Sequence, residues 1–169
     1  TTGSWQNWAA QTLQAIALEK DGIPPVIISD AVDRLTATVH DFSFLKAIDR
    51  PIRCLIDDSH GIGIIGSEGQ GISALLPQKS NIEYVFTYSL AKAMNIPGGA
   101  ISCSHQSTAQ RLRQSAWYAT STPPAPAPLQ VWLNNTALYR QQLTKLRENM
   151  ALMRQAIGDW PTIGSHPLL

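Results

Sequence analysis

Residues 52–66 read Ile52-Arg53-Cys54-Leu55-Ile56-Asp57-Asp58-Ser59-His60-Gly61-Ile62-Gly63-Ile64-Ile65-Gly66. The stretch opens as a buried strand over 52–56 and then breaks into two carboxylates, a hydroxyl, a histidine and spaced glycines. An acid at the end of a buried strand is costly unless it is partnered. The densest chemistry of the chain therefore falls at the carboxyl end of a strand, where open α/β sheets bind ligands. The bland alternative is a solvated turn with a satisfied histidine. Gly61, Gly63 and Gly66 also match the G-x-G-x-x-G spacing of a dinucleotide loop. That motif needs glycines that lead straight into a helix. Here they run on through Gly69 and Gly71 to Pro77 with little helical periodicity, so a dinucleotide site is not expected.

Working outward, residues 26–29 follow a proline pair as a second buried strand, 82–87 form a third and 100–102 a fourth. Helical spacing links Trp5, Trp8, Leu13 and Ile16 behind a cap at Thr2 or Ser4, and shorter helices are expected over 42–48 and 105–115. Strands alternating with helices predict an α/β fold, a parallel sheet with helices on its faces. Four prolines crowd residues 122–128, followed at once by periodic Leu129, Trp132, Leu133, Leu138, Leu143, Leu146, Met150 and Met153. Proline is tolerated in a first helical turn, so one long helix is expected from Pro126 to about Ile157, stopping near Gly158. Residues 161–169 read as the opening of a further strand, which gives the chain the look of a fragment cut at both ends.

The 169 residues carry 13 Lys+Arg against 12 Asp+Glu, a net charge of +1 that argues against nucleic acid as a partner. Charged residues make up 15%, against roughly 25% in an average soluble domain, which implies that another chain or missing sequence covers part of the surface. No apolar run approaches the ~20 residues that span a bilayer, and no signal peptide opens the chain. Cys54 and Cys103 sit in apolar runs as small core side chains, so a disulfide framework is not expected and a reducing cytoplasm is the default. Asp57 and His60 are metal-ligand types, but His40, His105 and His166 have no ligand spacing to them, and no metal is expected. A G-x-S-x-G elbow is absent.

A second segment, Ser89-Leu90-Ala91-Lys92-Ala93-Met94-Asn95-Ile96-Pro97-Gly98-Gly99, follows the strand at 82–87. Lys92 among small and apolar neighbours either snorkels to solvent or is desolvated, which lowers an ammonium pKa and leaves an amine able to form a Schiff base. The glycine pair suggests backbone passing close to a bound group.

Together these segments resemble the α-oxoamine synthase family of fold-type I pyridoxal-phosphate enzymes. Asp57-Asp58-Ser59-His60 with Gly61, Gly63, Gly66, Gly69 and Gly71 is similar to the family's D-[DE]-A-H glycine block. Ser89-Leu90-Ala91-Lys92 with Gly98-Gly99 resembles its cofactor-lysine block, and Thr120-Ser121-Thr122-Pro123-Pro124 its T-S-x-P-P block. The resemblance implies a cofactor, pyridoxal 5'-phosphate, attached at Lys92. Asp57 would face the protonated pyridine nitrogen, His60 the phenolic oxygen and Ser89 the phosphate. Thr120, with Ser121, would reach the phosphate of the neighbouring subunit in a homodimer with a shared site.

By the same resemblance, residues 1–124 form the second half of a cofactor-binding large domain with a mainly parallel sheet. Residues 125–160 form a long interdomain helix, and 161–169 begin a small domain. The implied reaction condenses a small amino acid with an acyl-CoA thioester, with decarboxylation, to an α-amino ketone. An aminotransferase or lyase of the same fold is the alternative, and a non-catalytic assembly domain is the alternative of another class. Two positions depart from the family pattern: Arg34 stands where the family has a cofactor-contacting Ser, and Asn95 replaces a Gly after the lysine.

Overall fold

In the computed structural model, which describes residues 4–20, 22–157 and 167, the apolar runs of the sequence pair into one four-stranded sheet. The elements run α1 (Trp5–Leu18), β1 (Val26–Asp30), β2 (Val32–Asp33), β3 (Thr38–Val39), β4 (Ile52–Asp57), β5 (Ile82–Ser89), β6 (Gly99–Cys103), α2 (Gln106–Arg113), α3 (Ala116–Thr120), α4 (Pro126–Asn134) and α5 (Thr136–Ile157). Short 3-10 turns cover Ser43–Ala47 and Ile72–Leu75. The sheet order is β1-β4-β5-β6, and β2 and β3 form a separate antiparallel hairpin.

Side chains alternate across a strand, so register decides which ones share a face. Ile27, Cys54 and Tyr84 stand in one cross-strand row and Ile56 beside Phe86 in the next, all buried. Leu45 and Ile72 from the two 3-10 turns close over that face, with Ile16 from α1 and partly buried Trp5, Trp8 and Leu13. Helix α1 starts where expected, because Ser4 Oγ accepts the Asn7 N–H at 3.3 Å. Trp5 stacks on His40 with ring centroids 3.8 Å apart and donates Nε1–H to Asp41 O at 2.7 Å. The apolar face of α1 is thus spent on the chain's own core. Burial pushes the Cys54 thiol up to about 12; both cysteines are free, but only Cys54 belongs to the core, and Cys103 at the end of β6 is partly exposed.

The sheet is mostly parallel, with two differences from the expected pattern. Strands β1, β4 and β5 run parallel, but β6 runs antiparallel to β5. Residues 90–98 are all that join them, and a parallel crossover needs about a dozen or more. The crossovers between the parallel strands are the β2–β3 hairpin, 3-10 turns and the glycine segment, not full helices. The long helix is helical from Pro126, as expected, but it divides at Asn135. There the Asn135 Nδ2 donates to Val131 O at 2.7 Å, a side-chain bond that competes with helix propagation. Of the apolar residues in α4 and α5 only Leu143 is buried. Gly158, the expected helix stop, and the expected strand at 161–169 (apart from Pro167) lie outside the described residues. Among the described residues no helix is long and apolar enough to cross a membrane.

The β4–β5 connection is built around one side chain, Asp58. Its N–H donates to Thr87 O at 2.9 Å, and its carbonyl accepts from Gly61 and Ile62 at 3.0 and 2.9 Å. Its Oδ2 accepts the Ile72 N–H at 2.9 Å, which starts the second 3-10 turn. Gly71 holds φ at +81°, and a methyl group there, or at Gly61, would strike the Asp58 carboxyl oxygens. Gly71→Ala should therefore destabilise the fold by about 2–4 kcal/mol, the sum of a left-handed backbone cost and overpacking. Gly22 has φ +71° but open space around it, so Gly22→Ala should lose only the backbone part, about 1 kcal/mol. Urea denaturation of both variants checks this, and equal losses would show that packing on Asp58 contributes nothing.

Candidate active site

Strands β1, β4 and β5 end side by side, and their last residues bring acids and hydroxyls together. Asp30 lies opposite Asp57 in register, and Asp57 opposite Thr87. Asp57 accepts the Ser59 N–H at 2.9 Å on Oδ1 and the Thr87 hydroxyl at 3.2 Å on Oδ2. Burial pushes the Asp57 carboxyl up, but bonds from Ser59 and Thr87 and the charge of Lys92 together hold it below the usual carboxylate range. It is presented ionised and half-buried.

Asp58 is the opposite case. Fully buried, its carboxyl is pushed up to about 7 by burial; the Ile72 N–H works against this and the Asp57 charge adds to it. Its Oδ1 has no hydrogen-bond partner, so a proton there avoids burying an unpaired charge. Environment alone separates two adjacent aspartates into one held ionised and one that keeps its proton up to about pH 7.

The next two residues connect this strand end to the lysine turn. Ser59 Oγ accepts the Ser89 N–H at 2.8 Å. His60 Nε2 lies 2.7 Å from Lys92 Nζ. Burial, then the charges of Lys92 and Arg34, hold the His60 imidazole below its ordinary pKa, against the weaker pull of Asp57 and Asp30. A neutral imidazole has one ring nitrogen that accepts and one that donates, so it can take either role in the contact with Lys92.

Lys92 itself is exposed, so the desolvated alternative is not what the fold does in this chain. The turn buries Leu90, Met94 and Ile96 against Leu129, Trp132 and Tyr139, and that turns Lys92 outward. Tyr139 Oη donates to Met94 O at 3.0 Å and pins the turn to α5. Asn95 sits at φ +53°, a left-handed position that asparagine tolerates, which explains how it replaces glycine there. Within the chain itself, Gly98 leaves room for Pro124, and Gly99 for the Tyr88 carbonyl.

Of the remaining candidates, Ser89 ends β5 half-buried, with a hydroxyl that bonds no described residue. Thr120 and Ser121 are not brought to the cluster. They are exposed at the end of α3, where their hydroxyls donate to Ala116 O and Trp117 O of their own helix. Two features escaped the sequence reading. Asp30 acts on His60 and carries the same signature as Asp57, an acid closing a β-branched run. Arg147 of α5 donates to Ser67 O at 3.0 Å, Ile64 O at 3.3 Å and Gly66 O, latching the helix onto the glycine segment; no local pattern signals a contact across 80 residues.

The family model described as aminotransferase class I and II matches residues 4–159. An 8-amino-7-oxononanoate synthase 2 from Polaromonas sp. strain JS666 is 29% identical over 97% of this chain and 42% of its own length. The crystal structure of 8-amino-7-oxononanoate synthase from Francisella tularensis superposes with a TM-score of 0.53 at 22% identity, covering 86% of this chain and 42% of that one. A serine palmitoyltransferase from S. paucimobilis, solved with bound PLP-myriocin aldimine, gives a TM-score of 0.56 at 14% identity over 82% of this chain and 34% of that one. The chain therefore spans under half the length of these relatives, and it shares the fold of fold-type I pyridoxal-phosphate transferases.

The buried Asp58 carries a pH signature. Its folded pKa is raised above the unfolded one, so its contribution to stability is full at acid pH and is lost as pH rises to about 7. Asp58→Asn keeps the acceptor for Ile72 without titrating. The stability of wild type relative to this variant should fall by at most about 1.4 kcal/mol per pH unit between pH 4 and 7 and be flat above. Denaturation at several pH values reads this, and a difference that does not vary with pH would show Asp58 ionised throughout.

Proposed function

The chain belongs to the aminotransferase class I and II family, and on that premise we propose that it is part of a pyridoxal-phosphate-dependent acyltransferase. The reaction condenses a small amino acid with an acyl-CoA thioester. A bond forms between the amino acid's α-carbon and the acyl carbonyl carbon, the thioester C–S bond breaks to release the thiol, and the α-carboxyl group leaves as carbon dioxide. The product is an α-amino ketone.

The observation that carries this reading is the contact of Lys92 Nζ with His60 Nε2 at 2.7 Å beside an ionised Asp57. Pyridoxal phosphate fits that donor set, which offers a primary amine, a neutral imidazole, a carboxylate and the open hydroxyl of Ser89. When bound, the cofactor supplies an electron sink for the amino acid's α-carbon. Lys92 would hold the cofactor through its amine and, once released by the substrate, move the α-proton. Asp57 would keep the pyridine nitrogen protonated by charge attraction, which requires a carboxylate held ionised, as this one is. His60 would hold the phenolic oxygen and orient the Lys92 amine, and Ser89 would give the phosphate a hydroxyl.

A homodimer with a shared site completes the proposal. Thr120 and Ser121 stand exposed and away from Lys92, which suits service to a partner's phosphate. Trp117 (85% exposed), Leu133 (60%) and Leu152 (63%) are large apolar side chains that an interface would cover.

The complete protein mixed with pyridoxal phosphate should show a visible absorption band that borohydride fixes to Lys92. Lys92→Ala should lose the band on dialysis and more than about 10²-fold in turnover, whereas a retained, reducible band would move the attachment elsewhere. Amino acid plus acyl-CoA should release free thiol and carbon dioxide in equal amounts. Transfer of the amino group to a 2-oxo acid with no thiol released would make the protein an aminotransferase instead.

A further inference from the structure

Arg34 lies beside the cluster without belonging to it. The β2–β3 hairpin that carries it grows straight from the end of β1, where the Ala31 N–H donates to Asp57 O at 2.8 Å. Buried Ala31, Val32 and Ala37 anchor the hairpin, and His40 N–H donates back to Ala31 O at 3.0 Å. The hairpin's own acid is already engaged. Asp33 accepts the Leu35 N–H and the Thr36 hydroxyl, each at 2.8 Å, and so does not pair with its neighbour. Arg34 is exposed and, among the described residues, has neither a hydrogen bond nor an ion pair. Its charge nevertheless acts on His60, whose ring contacts Lys92. A permanent cation with unused donors therefore stands on a hairpin rooted at the end of β1, within electrostatic reach of His60.

We propose that Arg34 recognises a substrate carboxylate at the mouth of the Asp57–His60–Lys92 cluster. The proposal rests on the function proposed above and names a chemical feature of its substrate. A guanidinium presents a planar fork of N–H donors that matches a carboxylate in two parallel bonds. The carboxylate has two possible sources, the amino acid itself or the far end of a dicarboxylic acyl chain.

The test uses the complete protein loaded with pyridoxal phosphate and compares wild type with Arg34→Gln. Spectral titrations use L-alanine and L-alaninamide, and KM is measured for hexanoyl-CoA and adipoyl-CoA. The variant should keep the visible band and its affinity for L-alaninamide, and lose at least tenfold on one carboxylate alone. A loss on L-alanine identifies the α-carboxylate; a loss on adipoyl-CoA relative to hexanoyl-CoA identifies the acyl chain. Equal losses on acid and amide and on both thioesters, or no loss, overturn the proposal. A wild-type protein with no visible band overturns the proposed function instead, and Arg34 is then read without cofactor. Adipate added to the apoprotein should shift the His60 ring NMR signals in wild type and not in Arg34→Gln. An identical response in both, or a response to inorganic phosphate alone, overturns the carboxylate assignment.

Discussion

The bond from the Ile72 N–H to the buried Asp58 carboxyl, 2.9 Å long, sets the shape of everything around the cluster. A buried polar group needs a hydrogen bond or a neutral form, and Asp58 has one oxygen bonded to a backbone N–H while burial raises its pKa to about 7. The glycine segment folds around this carboxyl because side chains at Gly61 and Gly71 would collide with it. Gly61 and Gly71 are thus spent on packing around an internal side chain. Their result is indirect: β4 ends rigidly, and the next residues are delivered to β5 and the lysine turn through the Ser59–Ser89 bond.

That rigidity matters because the cluster works by contrast between similar groups. Asp57 and Asp58 are adjacent in sequence, yet hydrogen bonds and the charge of Lys92 hold one below the usual carboxylate range while burial raises the other to about 7. His60 is in turn held below its ordinary pKa by burial and by two cations, with Nε2 at 2.7 Å from Lys92 Nζ. A charged acid, a neutral base and an amine within one small region are what acid–base chemistry at a carbon centre demands. Lys92 is exposed on a turn, but the turn is fixed from beneath by Leu90, Met94 and Ile96 and from α5 by Tyr139. An exposed reactive group on a rigid support can meet a ligand without a prior rearrangement.

Helix α5 contributes from a distance. Arg147 binds three carbonyls of the glycine segment, and Arg140 pairs with Glu68 beside it. Backbone carbonyls in a loop have few partners of their own, and a guanidinium can satisfy several at once. The helix is therefore part of the support for the cluster, although most of its apolar residues are exposed in this chain.

Much of the fold and the core of the candidate site could be read locally. The apolar runs at 26–29, 52–56 and 82–87 became strands, Ser4 caps α1, and Pro126 opens α4, because each depends on residues within a turn or a pleat of one another. Asp57, His60 and Lys92 stood out for the same reason: polar groups closing apolar strands carry a cost that demands partners. The antiparallel direction of β6 was not read in advance: the apolar run at 100–102 marks a strand but not its direction, which the short connection over 90–98 fixes. What the sequence determined by itself was the set of elements and the residue types at their ends. Tertiary structure alone decided which of two neighbouring aspartates holds its proton to higher pH, that Lys92 faces out and meets His60 from 32 positions away, that Gly61 and Gly71 pack on Asp58, and that Arg147 closes on a loop 80 residues earlier. Burial and long-range hydrogen bonds set those outcomes, and both depend on which surfaces meet once the strands have paired.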